Sequence, residues 1–394
     1  MSGDIAEQPA AAVGGLVDAA ELVPVVRRAL STEMAELVTW EHRVLYGGAG
    51  MLAGKNSVHR FGGSARVGDR TLPWSAVLKL VGAPSGSTTG VGDPTHADYW
   101  RRELLAFESG LLDELPSGMA APRCFGVDER PEGVRIWMEE VSDTVGPQWP
   151  LRRFAIAARH LGRFNGAYLA GRPLPPHTWL GRGILRARAD RNTPFWTNLD
   201  DVRGSALLQR GWPGDLADRG LRLFQERHAL LDSLDRLPQT LRHGDAGRNN
   251  LLARNRPAGG EQTVAIDWAF LGIGPVGEEV ATLVLSSVLW SKGAEPYDLQ
   301  ELDATAFDGY LAGLHDAGWH GDPRLVRLGC TATMALRYGP LLGIVSAVTA
   351  STDERAAMER TIGQPLEDML DRYAVILRFA LERADEARAL AGLV

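Results

Sequence analysis

Residues 243–279 constrain this chain more than any other stretch. They open with His243-Gly244-Asp245-Ala246-Gly247-Arg248-Asn249-Asn250-Leu251-Leu252 and continue with Val264-Ala265-Ile266-Asp267-Trp268 and Gly272-Ile273-Gly274-Pro275. The first segment sets an Asp and an Asn five positions apart in a loop that runs into an apolar pair. The second sets an Asp at the end of a short apolar strand, ahead of a glycine-rich turn. Three oxygen-bearing side chains thus converge from two neighbouring loops, which suits a base beside a hard-cation site.

The remainder must supply the rest of such a site. At 394 residues the chain exceeds one ordinary core, so two lobes are expected. The net charge of -7 leaves no basic surplus for releasing counterions from a polyanion, so no nucleic-acid partner is expected. Cys124 and Cys330 stand far apart without metal-type spacing and read as two buried free thiols in a reducing cytosol. The N-terminus, with Asp4 and Glu7, does not resemble a signal peptide, and the apolar runs at 280–290 and 338–350 are too short to span a bilayer. No membrane partner and a cytoplasmic location follow as expectations; oligomeric state is left open.

Residues 1–20 are Ala/Gly-rich and read as a loose tail, and residues 21–38 as a helical lead-in. Residues 44–46, 58–67 and 74–81 read as antiparallel strands joined by glycine-rich turns, among them Gly47-Gly48-Ala49-Gly50. Trp100, Leu104, Phe107 and Leu111 fall on one helical face, and residues 123–127 and 134–138 read as two more strands. From Gly146 onward helical patterns dominate, with an irregular Arg- and Pro-rich stretch at 172–194. The expected class is therefore α+β: a β-rich N-terminal lobe over 21–141 and a mainly helical C-terminal lobe over 142–394, with a cleft between.

Gly54-Lys55 mimics a phosphate-binding loop, but Ala49 replaces the required glycine, Asn56 replaces Ser or Thr, and a strand follows instead of a helix. Lys79, inside the apolar run Ala76-Val77-Leu78-Lys79-Leu80-Val81, needs an anion or an outlet to water. Glu103, beside Arg101 and Arg102, is either its partner or part of a solvated helix face. The spacing of Asp245 and Asn250 fits phosphoryl transfer, where a carboxylate accepts a hydroxyl proton and an amide ligates a metal, with Asp267 as second ligand. His243 braces the loop.

These segments resemble the aminoglycoside phosphotransferase family, a branch of the protein-kinase-like fold; by motif order the resemblance covers about residues 40–290. It implies Asp245 as catalytic base and Asn250 and Asp267 as Mg²⁺ ligands. Lys79 would hold the ATP α/β-phosphates, with Glu103 orienting it. Met138-Glu139-Glu140-Val141 would be the hinge where backbone groups of Glu139 and Val141 read the adenine, GTP remaining an alternative to ATP. The chain departs from the family pattern at Gly247-Arg248, where many members carry His-Pro. Arg248 either adds a guanidinium near the γ-phosphate or salt-bridges across the loop. Glu279 stands where an Asp often follows the Gly-Pro turn, and the glycine-rich loop is longer and less regular than usual.

The implied activity is transfer of the ATP γ-phosphoryl to the hydroxyl of a small molecule. An aminoglycoside-like antibiotic would be held by Glu278, Glu279, Asp200 and Asp201, with Trp196 and Trp268 for stacking. The alternatives are an endogenous choline-, sugar- or amino-alcohol-like acceptor, and a nucleotide-binding protein without catalysis.

Overall fold

The computed structural model describes residues 16–46, 56–83, 91–191, 204–256, 259–289, 297–339, 351–362 and 364–394. The glycine run 47–50, Gly54-Lys55, Trp196, Asp200 and Asp201 lie outside these residues, as does most of the apolar run 338–350.

The N-terminal part is a five-stranded antiparallel sheet. A helix, α1 (Ala19–Ala29), precedes β1 (Glu36–Tyr46), β2 (Asn56–Val67) and β3 (Arg70–Gly82). After α2 (Arg102–Glu108) and the short β4 (Met119–Ala120) come β5 (Cys124–Arg130) and β6 (Gly133–Met138), giving the sheet order β1-β2-β3-β6-β5. The alternation Trp74, Ala76, Leu78 buries one face of β3 against Phe61, Phe125 and Trp137. Lys79, one residue out of that phase, therefore points to the opposite face.

The helical part contains α3 (Leu151–Leu169), α4 (Ile184–Arg191), α5 (Ala206–Gly211), α6 (Leu216–Arg236), α7 (Glu278–Leu289), α8 (Leu299–Asp316), α9 (Pro323–Tyr338), α10 (Thr352–Ile362) and α11 (Leu366–Leu390). Between α6 and α7 the chain forms β7 (Gln239–Arg242), β8 (Leu251–Asn255), β9 (Glu261–Ala265) and β10 (Gly272–Pro275). β8 and β9 form a hairpin, β4 of the N-terminal half pairs parallel with β9, and β10 pairs antiparallel with β7. A side chain on Gly162 or Gly313 would overlap the facing backbone of Tyr310 or Arg159, so these glycines let α3 and α8 lie in close contact. Beneath them Asn165 donates to the Leu241 carbonyl at 2.8 Å and accepts from the Tyr310 hydroxyl at 2.7 Å, tying both helices to β7.

Several expectations need correction. The lead-in helix ends at Ala29; Ser31 takes a left-handed conformation (φ 54°) that breaks it, and β1 starts at Glu36, well ahead of residue 44. Leu16 is already packed, its carbonyl accepting from Arg135, ahead of the expected end of the tail. Helix α2 stops at Glu108, short of Leu111. The stretch 172–194 holds α4, whose apolar Ile184, Leu185 and Ala189 are buried despite its arginines. Cys330 is buried, whereas Cys124 is exposed on β5, an edge strand. Among the described residues no helix is long and apolar enough to cross a membrane.

Arg102 is fully buried rather than solvated: its guanidinium donates to the carbonyls of Trp179 (2.9 Å), Ala97 (3.0 Å), Ala269 (3.0 Å) and His96 (2.7 Å). It ties α2 to the loop after Asp267. Arg102→Met should orphan these carbonyls and lower unfolding free energy by about 3–5 kcal/mol, whereas Arg101→Met, half-exposed on the same helix, should change it by less than about 1 kcal/mol. Denaturant midpoints of the two variants check this; equal losses would refute the bracing role of Arg102.

Candidate active site

The site spans the gap between β3, α2 and the loops that follow β7 and β9. Lys79 Nζ lies 2.6 Å from Glu103 Oε2 and 2.9 Å from Asp267 Oδ1. Glu103 Oε1 also accepts the Trp268 backbone N–H at 3.3 Å, so one carboxylate ties β3, α2 and the Asp267 loop together. Burial alone would push the Lys79 ammonium down, but Asp267 and Glu103 together hold it above its ordinary value. Burial also works against an ionised Asp267, and the Lys79 charge overcomes this to hold it below the usual carboxylate range. At Glu103 burial dominates and pushes the carboxyl up, with Lys79 opposing. Asp267 itself is left-handed (φ 62°, ψ 70°), a strained conformation that Asp tolerates better than most residues.

The Asn250 amide nitrogen donates to the Asp245 carbonyl at 2.9 Å and to Asp245 Oδ2 at 3.0 Å. With both N–H groups committed there, the amide is fixed and its oxygen is left as an acceptor. Asn250 and Asp267 both line one cleft of about 460 Å³, whose apolar walls include Val58, Val77, Met138, Leu252 and Ile266. An amide oxygen and a carboxylate facing one space make the hard-oxygen donor set a divalent cation takes, and the Lys79 ammonium already rests against that carboxylate. The residues fit such an ion.

Glu139 and Val141 line the same cleft. The Glu139 N–H is committed to the Arg123 carbonyl at 2.9 Å, so Glu139 can offer a ligand only its carbonyl. Its side chain turns away to Arg254 at 3.2 Å.

Loop geometry accounts for the remaining residues of the motif. Gly244 (φ 82°) has no room for a side chain, because Phe270 and Arg242 occupy the space. Glu279 accepts the backbone N–H groups of His243 and Gly244, the latter at 3.3 Å. His243 is fully buried, lies 2.9 Å from the Ile266 carbonyl through Nε2, and accepts the Asp245 N–H at 3.2 Å through Nδ1. It braces the loop, as expected. Arg248 is buried in the turn before β8, where its N–H donates to Ser287 Oγ at 3.1 Å. Its Nε and Nη1 have no partner and it makes no ion pair with a described residue, which answers against the salt bridge across the loop.

Three expected acceptor contacts are corrected. Glu278 is buried and pairs with Arg242 at 3.0 Å; Glu279 is spent on the loop; Trp268 is wholly buried, donating to the Ala265 carbonyl at 2.9 Å. Sequence reasoning missed Arg337, on α9. Its Nη2 lies 2.7 Å from Asp245 Oδ1, while Nη1 donates to the Gly244 carbonyl and Thr282 Oγ1, each at 3.0 Å. No local signal marks it: the two charges are 92 positions apart.

The family model described as "Phosphotransferase enzyme family" matches residues 96–321, more than half of the chain. The chain belongs to that family. It is thus a small-molecule phosphotransferase with a hydroxyl acceptor. Among solved structures, a choline kinase from Cryptosporidium parvum Iowa II aligns with TM-score 0.51 at 11% identity, covering 94% of this chain and 96% of that one. That likeness shows the two-lobed kinase-like fold. A spectinomycin phosphotransferase solved with ADP and spectinomycin aligns with TM-score 0.49 at 12% identity, over 93% and 99% of the two chains. An amicoumacin kinase solved with AMP-PNP and Ca²⁺ aligns with TM-score 0.47 at 16% identity, over 82% and 88%. No curated protein matches the phosphotransferase.

Burial pushes the Glu279 carboxyl up to about 7, against the opposing pull of Arg242 and the two backbone N–H groups. Its unfolded value is near 4.5, so the folded protein retains this proton over a range where the unfolded chain has lost it. The stabilising contribution is complete below about pH 4.5 and is lost as pH rises through about 7. Glu279→Gln, which keeps an acceptor for both N–H groups, should flatten this part of the stability–pH profile. Urea midpoints between about pH 4.5 and 8 measure it; parallel profiles would show that Glu279 does not titrate there.

Proposed function

We propose that the protein transfers the γ-phosphoryl group of ATP to a hydroxyl of a small hydroxylated acceptor, with Mg²⁺. The observation that carries this reading is that Lys79, Glu103, Asp267 and Asn250 line one cleft, with Asp245 tied to it through the Asn250 amide. The lobe of residues 21–141 binds the nucleotide, and residues 142–394 hold the catalytic and metal loops and the acceptor.

The apolar walls near Val58, Val77 and Leu252 take the base, with the Glu139 carbonyl and Val141 backbone at its polar edge. That carbonyl can accept from the 6-amino group of adenine in ATP, or from the N1–H of guanine in GTP. Lys79 neutralises the α/β-phosphates, and Glu103 fixes its position. Asn250 and Asp267 would hold Mg²⁺, which would offset the negative charge of the phosphates.

Asp245 accepts the proton of the acceptor hydroxyl. That oxygen bonds to the γ-phosphorus as the bond to the β–γ bridging oxygen breaks, and ADP leaves. Arg337 and Asn250 hold both carboxylate oxygens of Asp245, so the base is set in one orientation before the acceptor arrives. Arg248, buried without an ion-pair partner among the described residues, supplies a further positive charge to the transferred group.

The acceptor read from the sequence needed acidic residues around Asp245. Glu278 and Glu279 are committed elsewhere, Asp200 and Asp201 lie outside the described residues, and among the described residues the charged side chains beside Asp245 include the arginines Arg337 and Arg188. That favours a hydroxylated metabolite of the cell over a polycationic antibiotic, with reaction in the cytoplasm where ATP and Mg²⁺ are supplied.

Asp245→Asn should lower kcat by at least about 100-fold while leaving the ATP dissociation constant within about threefold. Turnover measured with mass detection of the phosphorylated product, beside nucleotide titration, tests this. Unchanged kcat removes Asp245 from the mechanism; loss of nucleotide binding makes its role structural.

A further inference from the structure

The charges beside Asp245 do not balance. Arg337 neutralises Asp245 through the 2.7 Å ion pair. A second guanidinium, Arg188 of α4, stands by the same group: its carbon lies 4.5 Å from the centre of the Phe270 ring, and Phe270 is the residue packed against Gly244. Helices α4 and α9 are in contact, which brings both arginines to the loop from the helical lobe. Among the described residues Arg188 makes neither a hydrogen bond nor an ion pair. The nearby Asp98 is paired with Arg191. Two guanidinium groups against one carboxylate leave one positive charge next to the catalytic base.

Arg188 is largely but not wholly buried, so part of its side chain still reaches the surface of the cleft region. Neither it nor Arg337 lines the nucleotide cleft, whereas Phe270, the platform beneath Arg188, does. Arg188 thus sits at the boundary between the nucleotide space and the ground around Asp245, where the acceptor hydroxyl must lie. A guanidinium stacked on an aromatic ring keeps its edge donors available in one plane, the geometry that grips a carboxylate or phosphate in pairs. Burial, and then the neighbouring Arg337, push the Arg188 guanidinium down to about 10, with Asp245 opposing, so it remains charged at neutral pH. An aminoglycoside or choline-like cation would have to approach this surplus positive charge.

We propose that Arg188 binds an anionic group on the acceptor, so that the substrate class is hydroxylated carboxylates or phosphate esters, phosphorylated at a hydroxyl held against Asp245. This assignment rests on the kinase reading above. It places Arg188 as a specificity-determining residue on the acceptor and leaves the nucleotide to Lys79.

The test is a panel of hydroxylated carboxylates and sugar phosphates beside their uncharged amides or parent sugars and beside amino sugars, assayed with Mg²⁺-ATP. Wild-type protein should phosphorylate an anionic member with kcat/KM at least about tenfold above its uncharged counterpart. Arg188→Gln should raise the KM for that acceptor by about 10- to 100-fold with the ATP KM unchanged, and Arg188→Lys should recover part of the loss. Preference for the carboxylates over the phosphate esters, or the reverse, names the anion. Preference for uncharged or amino compounds overturns the inference while leaving the kinase reading intact. So does an Arg188→Gln effect on the ATP KM alone, which would assign the guanidinium to the nucleotide phosphates. If no compound is turned over, calorimetric titration of the AMP-PNP-saturated protein with the anionic compounds decides, and failure of all of them to bind overturns the proposal. Failure to bind Mg²⁺-nucleotide at all is a separate result and sinks the kinase reading itself.

Discussion

The Lys79 ammonium between Glu103 and Asp267 is the interaction on which the molecule's working geometry depends. A lysine on a sheet face covered by the other lobe would be costly to desolvate alone, and each carboxylate equally so. Together they are compensated, but only if β3, α2 and the loop after β9 are all in place. The same Glu103 holds the Trp268 N–H, and Arg102, its neighbour on α2, holds the Ala269 carbonyl. One short helix therefore fixes the Asp267 loop from both sides, which is how a left-handed aspartate survives there. One ammonium against two carboxylates leaves the balance negative at Asp267, the side on which the proposed cation would sit.

The loop bearing Asp245 is built on the opposite principle. Its tight turn leaves backbone N–H groups with no strand to pair with, and Glu279 accepts two of them from within the core. His243 ties the loop to the neighbouring strand end through the Ile266 carbonyl, and Arg337 clasps its outer side. Asp245 is thus positioned by Glu279, His243 and Arg337, and of these three only Arg337 touches its carboxylate.

What could be read in the sequence follows from where each residue's partner lies. Asp245 and Asn250 share one turn, so their spacing was enough to mark them as a pair, and the structure does join them by the Asn250 amide. Lys79 was legible because a charge inside an apolar strand demands explanation. The β-then-α order was legible because strand and helix periods differ over long segments, although β1 was expected only from residue 44 and α4 was missed. Arg337, Arg188 and Arg102 were not legible. Each is an arginine on a helix whose ordinary reading is a solvated face, and only tertiary packing decides that it turns inward. The same blindness in reverse made Glu278, Glu279 and Trp268 look available to a ligand when the fold had already used them.

The two halves of the site therefore differ in sign. At Asp267 the protein's own charges sum to a negative residue, which only an added cation and its phosphate partners can balance. At Asp245, among the described residues, they sum to a positive one, because Arg337 is matched and Arg188 is not. An enzyme that moves a phosphoryl group between these points needs its acceptor oxygen to approach a group already rich in negative charge. A surplus guanidinium at the meeting ground eases that approach by offsetting part of the repulsion. If the acceptor is itself an anion, the need is greater still, and a stacked, largely buried arginine on a rigid helix meets it without a mobile lysine's loss of order on binding. In this chain that charge is set by α4 and α9, two helices whose sequences carry no motif.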